Sequence, residues 1–165
     1  MFYDILNDTT VCIFALVVAA AAYSDVKSFT LPNVYSLSLI ILYPAFVLSS
    51  GGAIDWVSAT GIAAASLVVG FGLFALKICG GGDVKLFAAV SLWAGPALFL
   101  EFTLLMALSG GLIAIGLWLT HRASFLVPFL PQGLSCDSET FAKKPMPYGV
   151  AIAVGAVYVA FTLLR

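Results

Sequence analysis

The sequence predicts an all-α, polytopic membrane protein with about six transmembrane helices. Three observations predict it. The 165-residue chain is 62% hydrophobic and 9% charged, where a soluble domain carries roughly 25% charged residues, and its mean hydropathy is +1.13. Its apolar residues gather at about 9–24, 34–50, 54–78, 84–94, 97–119 and 147–164, mostly close to the ~20 residues needed to cross a hydrocarbon core. Charges fall between these segments or near their ends, with most cations on one side. Segments so placed leave room for one domain, residues 1–165, and for no separate soluble domain. A net charge of −1 offers no basic surface for nucleic acid.

The first segment is a retained span rather than a secretion signal. Asp4 and Asp8 precede it and no Lys or Arg does, whereas a signal peptide begins with positive charge. Leu31-Pro32-Asn33 opens the second segment, with Asn33 expected as its N-cap. The third runs to Ile78. The fourth is short: from Asp83 to Gly95 is 12 steps, about 18 Å at ~1.5 Å per residue.

Gly95-Pro96 decides the span count. Read as one helix, 84–119 has 36 residues and reaches about 54 Å, against a core of ~30 Å. Read as a turn, it gives six spans. Six spans put Lys27, Lys77, Lys85, Arg122, Lys143 and Lys144 on one side, with Arg165 the lone cation on the other beside Asp4, Asp8, Asp55 and Glu101. Five spans divide the cations four against three. The positive-inside rule prefers six, with both termini outside. Asp25 then ends the first span and Asp83 begins the fourth, both at the cytoplasmic face. The long polar stretch 121–146 carries Phe125, Leu126, Val127, Phe129 and Leu130, suited to the membrane surface, the bundle or a substrate helix. Pro145, Pro147, Tyr148 and Gly149 open the sixth segment on the same side.

The chemistry-bearing pattern is a repeat, Asp25-Val26-Lys27 and Asp83-Val84-Lys85, the second preceded by Gly80-Gly81-Gly82. Ionisable residues at a membrane boundary need a reason. Two carboxylates at one depth can share a proton and activate water. The glycines would leave the Asp83 side chain uncrowded and let a second chain approach. Lys27 and Lys85, two residues beyond their aspartates, face away from them on a helix and serve as interfacial anchors. Plainer readings stand beside this one: Asp83 as an N-cap, Asp25 as a loop acid, a membrane assembly subunit without enzymatic activity, or a proton-relay transporter, although the span centres hold few polar residues. Cys12, Cys79 and Cys136 fit no zinc spacing and read as small apolar residues. The single His121 flanks a span. No metal ligand set and no cofactor motif is present.

At these residues the chain resembles the prepilin peptidases, membrane aspartyl proteases of the GxGD type. Asp25, followed by Leu31-Pro32-Asn33, looks like the first catalytic aspartate and its loop. Gly80-Gly81-Gly82-Asp83-Val84-Lys85-Leu86 resembles the GxGD segment with the second. Met146-Pro147-Tyr148-Gly149-Val150-Ala151 is similar to the entry of the last span. The resemblance implies Asp25 and Asp83 as catalytic residues, with Gly80, Gly81, Gly82, Lys85, Pro147, Tyr148 and Gly149 shaping the site or binding substrate. It implies a prepilin substrate, a pilus assembly machinery as partner, and a bacterial inner-membrane location with the site facing the cytoplasm. Larger members carry an N-terminal methyltransferase region with paired CxxC motifs. That pattern is missing here, so the expectation is leader cleavage without N-methylation, as in the short peptidases of tight-adherence (Flp-type) pili. Archaeal preflagellin peptidases are a near alternative. Presenilin-like GxGD proteases resemble longer chains.

Overall fold

A computed structural model of the chain describes residues 2–28, 30–52, 54–126 and 148–165. All secondary structure among them is helical. The helices are α1 (Phe2–Ser28), α2 (Asn33–Ser49), α3 (Trp56–Ala75), α4 (Gly81–Leu126) and α5 (Tyr148–Leu163). Helix α1 runs beyond the apolar segment at both ends, so Asp25 lies inside its last turn rather than after it. Helix α4 takes in the beginning of the expected polar loop, and residues 127–147, which carry Lys143, Lys144, Pro145 and Pro147, lie outside the described set.

The turn expected at Gly95-Pro96 is present. Gly95 adopts φ 56 and ψ −171 within the 46 residues of α4, a region open essentially to glycine alone. There the chain doubles back. Phe87 and Phe102 stack with ring centroids 5.2 Å apart, whereas 15 steps of unbroken helix would separate them by about 22 Å. Helix α4 is therefore a helical hairpin with a first arm, 81–94, and a second, 96–126. By length and composition, Ile5–Ser28, Trp56–Ala75 and Gly81–Leu119 are each long and apolar enough to cross a membrane, and the last is folded as a hairpin. Helices α2 and α5 are apolar but shorter, at 17 and 16 residues. The result is an all-α membrane protein.

Trp93, on the first arm, organises the core. It stacks on Phe14 of α1 at 4.5 Å and on Phe46 of α2 at 4.8 Å, and Tyr43 meets it edge-on at 5.9 Å. Such pairs add about 0.5–1.5 kcal/mol each beyond area burial. The Trp93 indole N–H donates to the Leu39 carbonyl at 3.0 Å, so the buried ring carries no unpaired donor. Helix α3 packs chiefly on α4, antiparallel to the first arm: Ala59 lies by Gly95 and Val84 by Gly70. Helix α5 packs on α1 and on the second arm. At Gly155 an added Cβ would come within 2.7 Å of the Phe102 ring, so this close crossing requires glycine.

One sequence reading is corrected here. Asn33 does not cap α2. Pro32 holds the N-cap position and no side chain caps it. The Asn33 amide oxygen instead accepts from the Lys85 ammonium at 3.0 Å, a stronger, charge-assisted use of the same acceptor.

Gly95→Ala tests the hairpin. The nearest side-chain atom to a new Cβ, on Ala59, is 3.8 Å away, so the cost lies in the backbone alone. The variant is expected to lose about 1–3 kcal/mol, read from denaturation in detergent followed by helical circular dichroism.

Candidate active site

Asp25 occupies a core position of α1. Val11, Phe14, Val18 and Ala21 are fully buried and recur every three or four residues, which is one face of a helix. The next member of that stripe is Asp25, 5% exposed. A buried carboxylate is costly unless it is hydrogen-bonded. Here the Gly149 N–H, in the first turn of α5, donates to Asp25 Oδ2 at 2.8 Å. First-turn N–H groups lack an intrahelical acceptor, so the bond satisfies both partners. A Cβ on Gly149 would lie 2.8 Å from that oxygen and 3.0 Å from Asp25 Cβ and Cγ. Only glycine permits the approach.

Asp83 is held locally. The Val84 N–H donates to the Gly80 carbonyl at 3.2 Å, which makes Gly80 the N-cap of α4 and Asp83 its third residue. The Asp83 carboxylate reaches back to the Gly80 N–H, the return half of a capping box. Asp83 is thus not the N-cap. The three glycines serve space rather than dihedral freedom, since none has positive φ. A Cβ on Gly80 would lie 2.6 Å from Asp83 Oδ2, and one on Gly82 2.7 Å from the Leu31 carbonyl oxygen. Gly81 meets only the Phe74 ring, at 3.3 Å.

These elements converge on one open cavity of about 620 Å³, lined by Asp25, Thr30, Leu31, Lys77, Ile78, Cys79, Gly80, Gly82, Asp83 and Tyr148. Asp25 and Asp83, 58 residues apart in sequence, interact electrostatically across it. Two carboxylates so placed can hold one proton between them and act as acid and base. Of the other expected residues, Tyr148 lines the cavity and Gly149 binds Asp25. Lys85 points away, exposed, and clamps the 30–32 strap through Asn33. Lys27 also points outward, 5.9 Å above the Tyr23 ring. Pro147 lies outside the described residues.

The structure adds residues that sequence reasoning passed over. Lys77 counted only as a topological charge, and it lines the cavity. Cys79 reads in sequence as a small buried apolar residue, yet it is half-buried and faces the cavity; Cys12 is exposed on α1. Burial, and then the Asp83 carboxylate, push the Cys79 thiol up. Among the described residues no group of three or more His, Cys, Asp or Glu is placed to hold a metal ion.

The sequence profile of the type IV leader peptidase family matches residues 12–115. The chain belongs to that family. The matched region holds both aspartates and the glycine run and ends before α5, so the contact of Gly149 with Asp25 and the place of Tyr148 in the cavity rest on the structure. No curated protein and no solved structure matches the chain. Family membership makes it a type IV leader peptidase-like protease, whose substrates are prepilins.

Two outcomes test this geometry. Gly149→Ala is expected to lower leader cleavage at least tenfold, an order-of-magnitude figure for a displaced catalytic group, with helix content intact by circular dichroism. In a chain whose Cys12 and Cys136 are replaced by alanine, Asp83→Asn removes one of the two causes holding the Cys79 thiol up. Thiolate is the reactive form, so maleimide labelling of Cys79 at mildly alkaline pH is expected to quicken.

Proposed function

We propose that this leader peptidase is an aspartyl endopeptidase using Asp25 and Asp83. The observation that carries the reading is the meeting of two carboxylates, from the end of α1 and the start of α4, in one cavity. In the reaction the ionised member of the pair takes a proton from water as its oxygen attacks the scissile carbonyl. The protonated member donates to the carbonyl oxygen. Collapse of the tetrahedral intermediate breaks the C–N bond and a proton passes to the leaving amine. The apparent acidities belong to the pair rather than to either aspartate. The open side of the cavity gives an extended peptide access to both acids.

The substrate in this reading is a membrane-inserted, Flp-like type IV prepilin with a short basic leader, cut at the cytoplasmic face of the inner membrane. Charge placement supports the orientation. Lys27, Lys77 and Lys85 belong to the end of the bundle that bears the cavity, whereas Asp55 precedes α3 at its far end and Glu101 accepts from Tyr158 near the end of α5. The hairpin at Gly95 supports a six-span path with both termini outside. The pilus assembly machinery is the expected recipient of the trimmed pilin.

Asp25→Asn and Asp83→Asn are close to isosteric. Co-expressed with an Flp-type prepilin, each is expected to abolish leader removal, read from the pilin's mass, while inserting and folding as the parent does. Normal processing by either variant would move the chemistry away from this pair. A carboxylate serving only as a cap would instead lose about 1 kcal/mol of stability and keep activity.

A further inference from the structure

Lys77 holds a position that helix chemistry normally gives to glycine. Helix α3 ends in a Schellman motif: the Ile78 N–H donates to the Leu73 carbonyl at 3.0 Å and the Lys77 N–H to the Phe74 carbonyl at 2.9 Å. The residue after the cap in this motif is left-handed and usually glycine. Here it is Lys77, with φ 60, the one non-glycine residue with positive φ among those described. That conformation is disfavoured for any residue carrying a Cβ, and strain of this kind gathers at functional sites. The strained residue lines the cavity that holds Asp25 and Asp83.

We propose that Lys77 is a specificity-determining residue of the peptidase, whose ammonium binds an oxygen acceptor of the bound prepilin, either a carboxylate side chain or a main-chain carbonyl. This rests on the peptidase reading above. A lysine ammonium is a compact charge with three donors, and a peptide carbonyl offers two lone pairs. Two acids in the cavity attract a basic leader. A cation beside them repels it. The pair of opposite fields gives the cavity a direction, with basic leader residues turned away from Lys77 and an acceptor turned towards it.

The test uses the purified full chain in detergent with a synthetic Flp-type prepilin peptide, comparing the parent, Lys77→Gly and Lys77→Arg. Glycine relieves the backbone, so Lys77→Gly is expected to melt at a higher temperature. It is also expected to raise KM about tenfold or more, the loss of one charge-assisted hydrogen bond, with kcat within about twofold. Lys77→Arg keeps the cation and is expected to hold KM within about threefold. Changing the acidic residues of the peptide to amides separates the two acceptors. If the parent enzyme then shows the raised KM, the acceptor is a carboxylate. If the parent is unaffected and the Lys77→Gly defect persists, it is a main-chain carbonyl. A lysine that only anchors the chain among headgroups predicts an unchanged KM in Lys77→Gly, and that result with an active parent overturns this inference alone. A folded parent that cleaves no member of a prepilin panel overturns the peptidase reading and this inference with it.

Discussion

A carboxylate set into the helical core and met there by a single main-chain N–H is the constraint on which the arrangement of this bundle turns. The buried face of α1 is apolar for three turns and then presents Asp25. Packing that face brings the carboxylate in with it. The cost of burying the group is offset by the Gly149 N–H, drawn from a helix N-terminus where donors are free and the helix dipole favours negative charge. The start of α5 is thereby fixed against the end of α1, and residue 149 has no room for a side chain.

The second carboxylate is positioned by other means. Asp83 belongs to the first turn of α4 and is turned back on that turn by Gly80, so its placement depends on how α4 begins. That beginning is held from two sides. The strap at 30–32 passes so close that a Cβ on Gly82 would lie 2.7 Å from the Leu31 carbonyl oxygen, and Lys85, in the next turn, binds Asn33, the first residue of α2. One acid is thus held across the bundle and the other by its own helix start. The cavity between them depends on the packing of α1, α4 and α5 together.

The hairpin in α4 sets the level of this site. A first arm of 81–94 spans about 21 Å, short of the ~30 Å of a hydrocarbon core. Asp83 stands at the start of that arm and Asp25 at the end of the buried stripe of α1, and both line the cavity. Trp93, two residues before the corner at Gly95, stacks on both α1 and α2. The corner and the site are therefore coupled through one rigid arm.

The sequence by itself determined the membrane-protein class, the breaking of the fourth segment and the pair of acids. Each of these follows from local chemistry: span length and apolarity, a Gly-Pro pair that cannot continue a helix, and carboxylates too costly to stand at a membrane boundary without use. Asp25 reads in sequence as a boundary or loop acid, and the structure sets it in register with the buried Val11, Phe14, Val18 and Ala21. The partners of these residues were decided only by the tertiary structure. Asn33 looks like a cap in sequence because local rules know nothing of Lys85, which lies 52 residues on and out-competes the cap. The glycine run reads as room for Asp83 and for an approaching chain, and only the packing shows that the chain at Gly82 is this protein's own Leu31 carbonyl. Lys77 reads as a topological charge, because no sequence pattern marks a lysine in the left-handed cap of α3. Close approach between distant segments is a property of packing, and packing is set by the whole bundle rather than by any one of its helices.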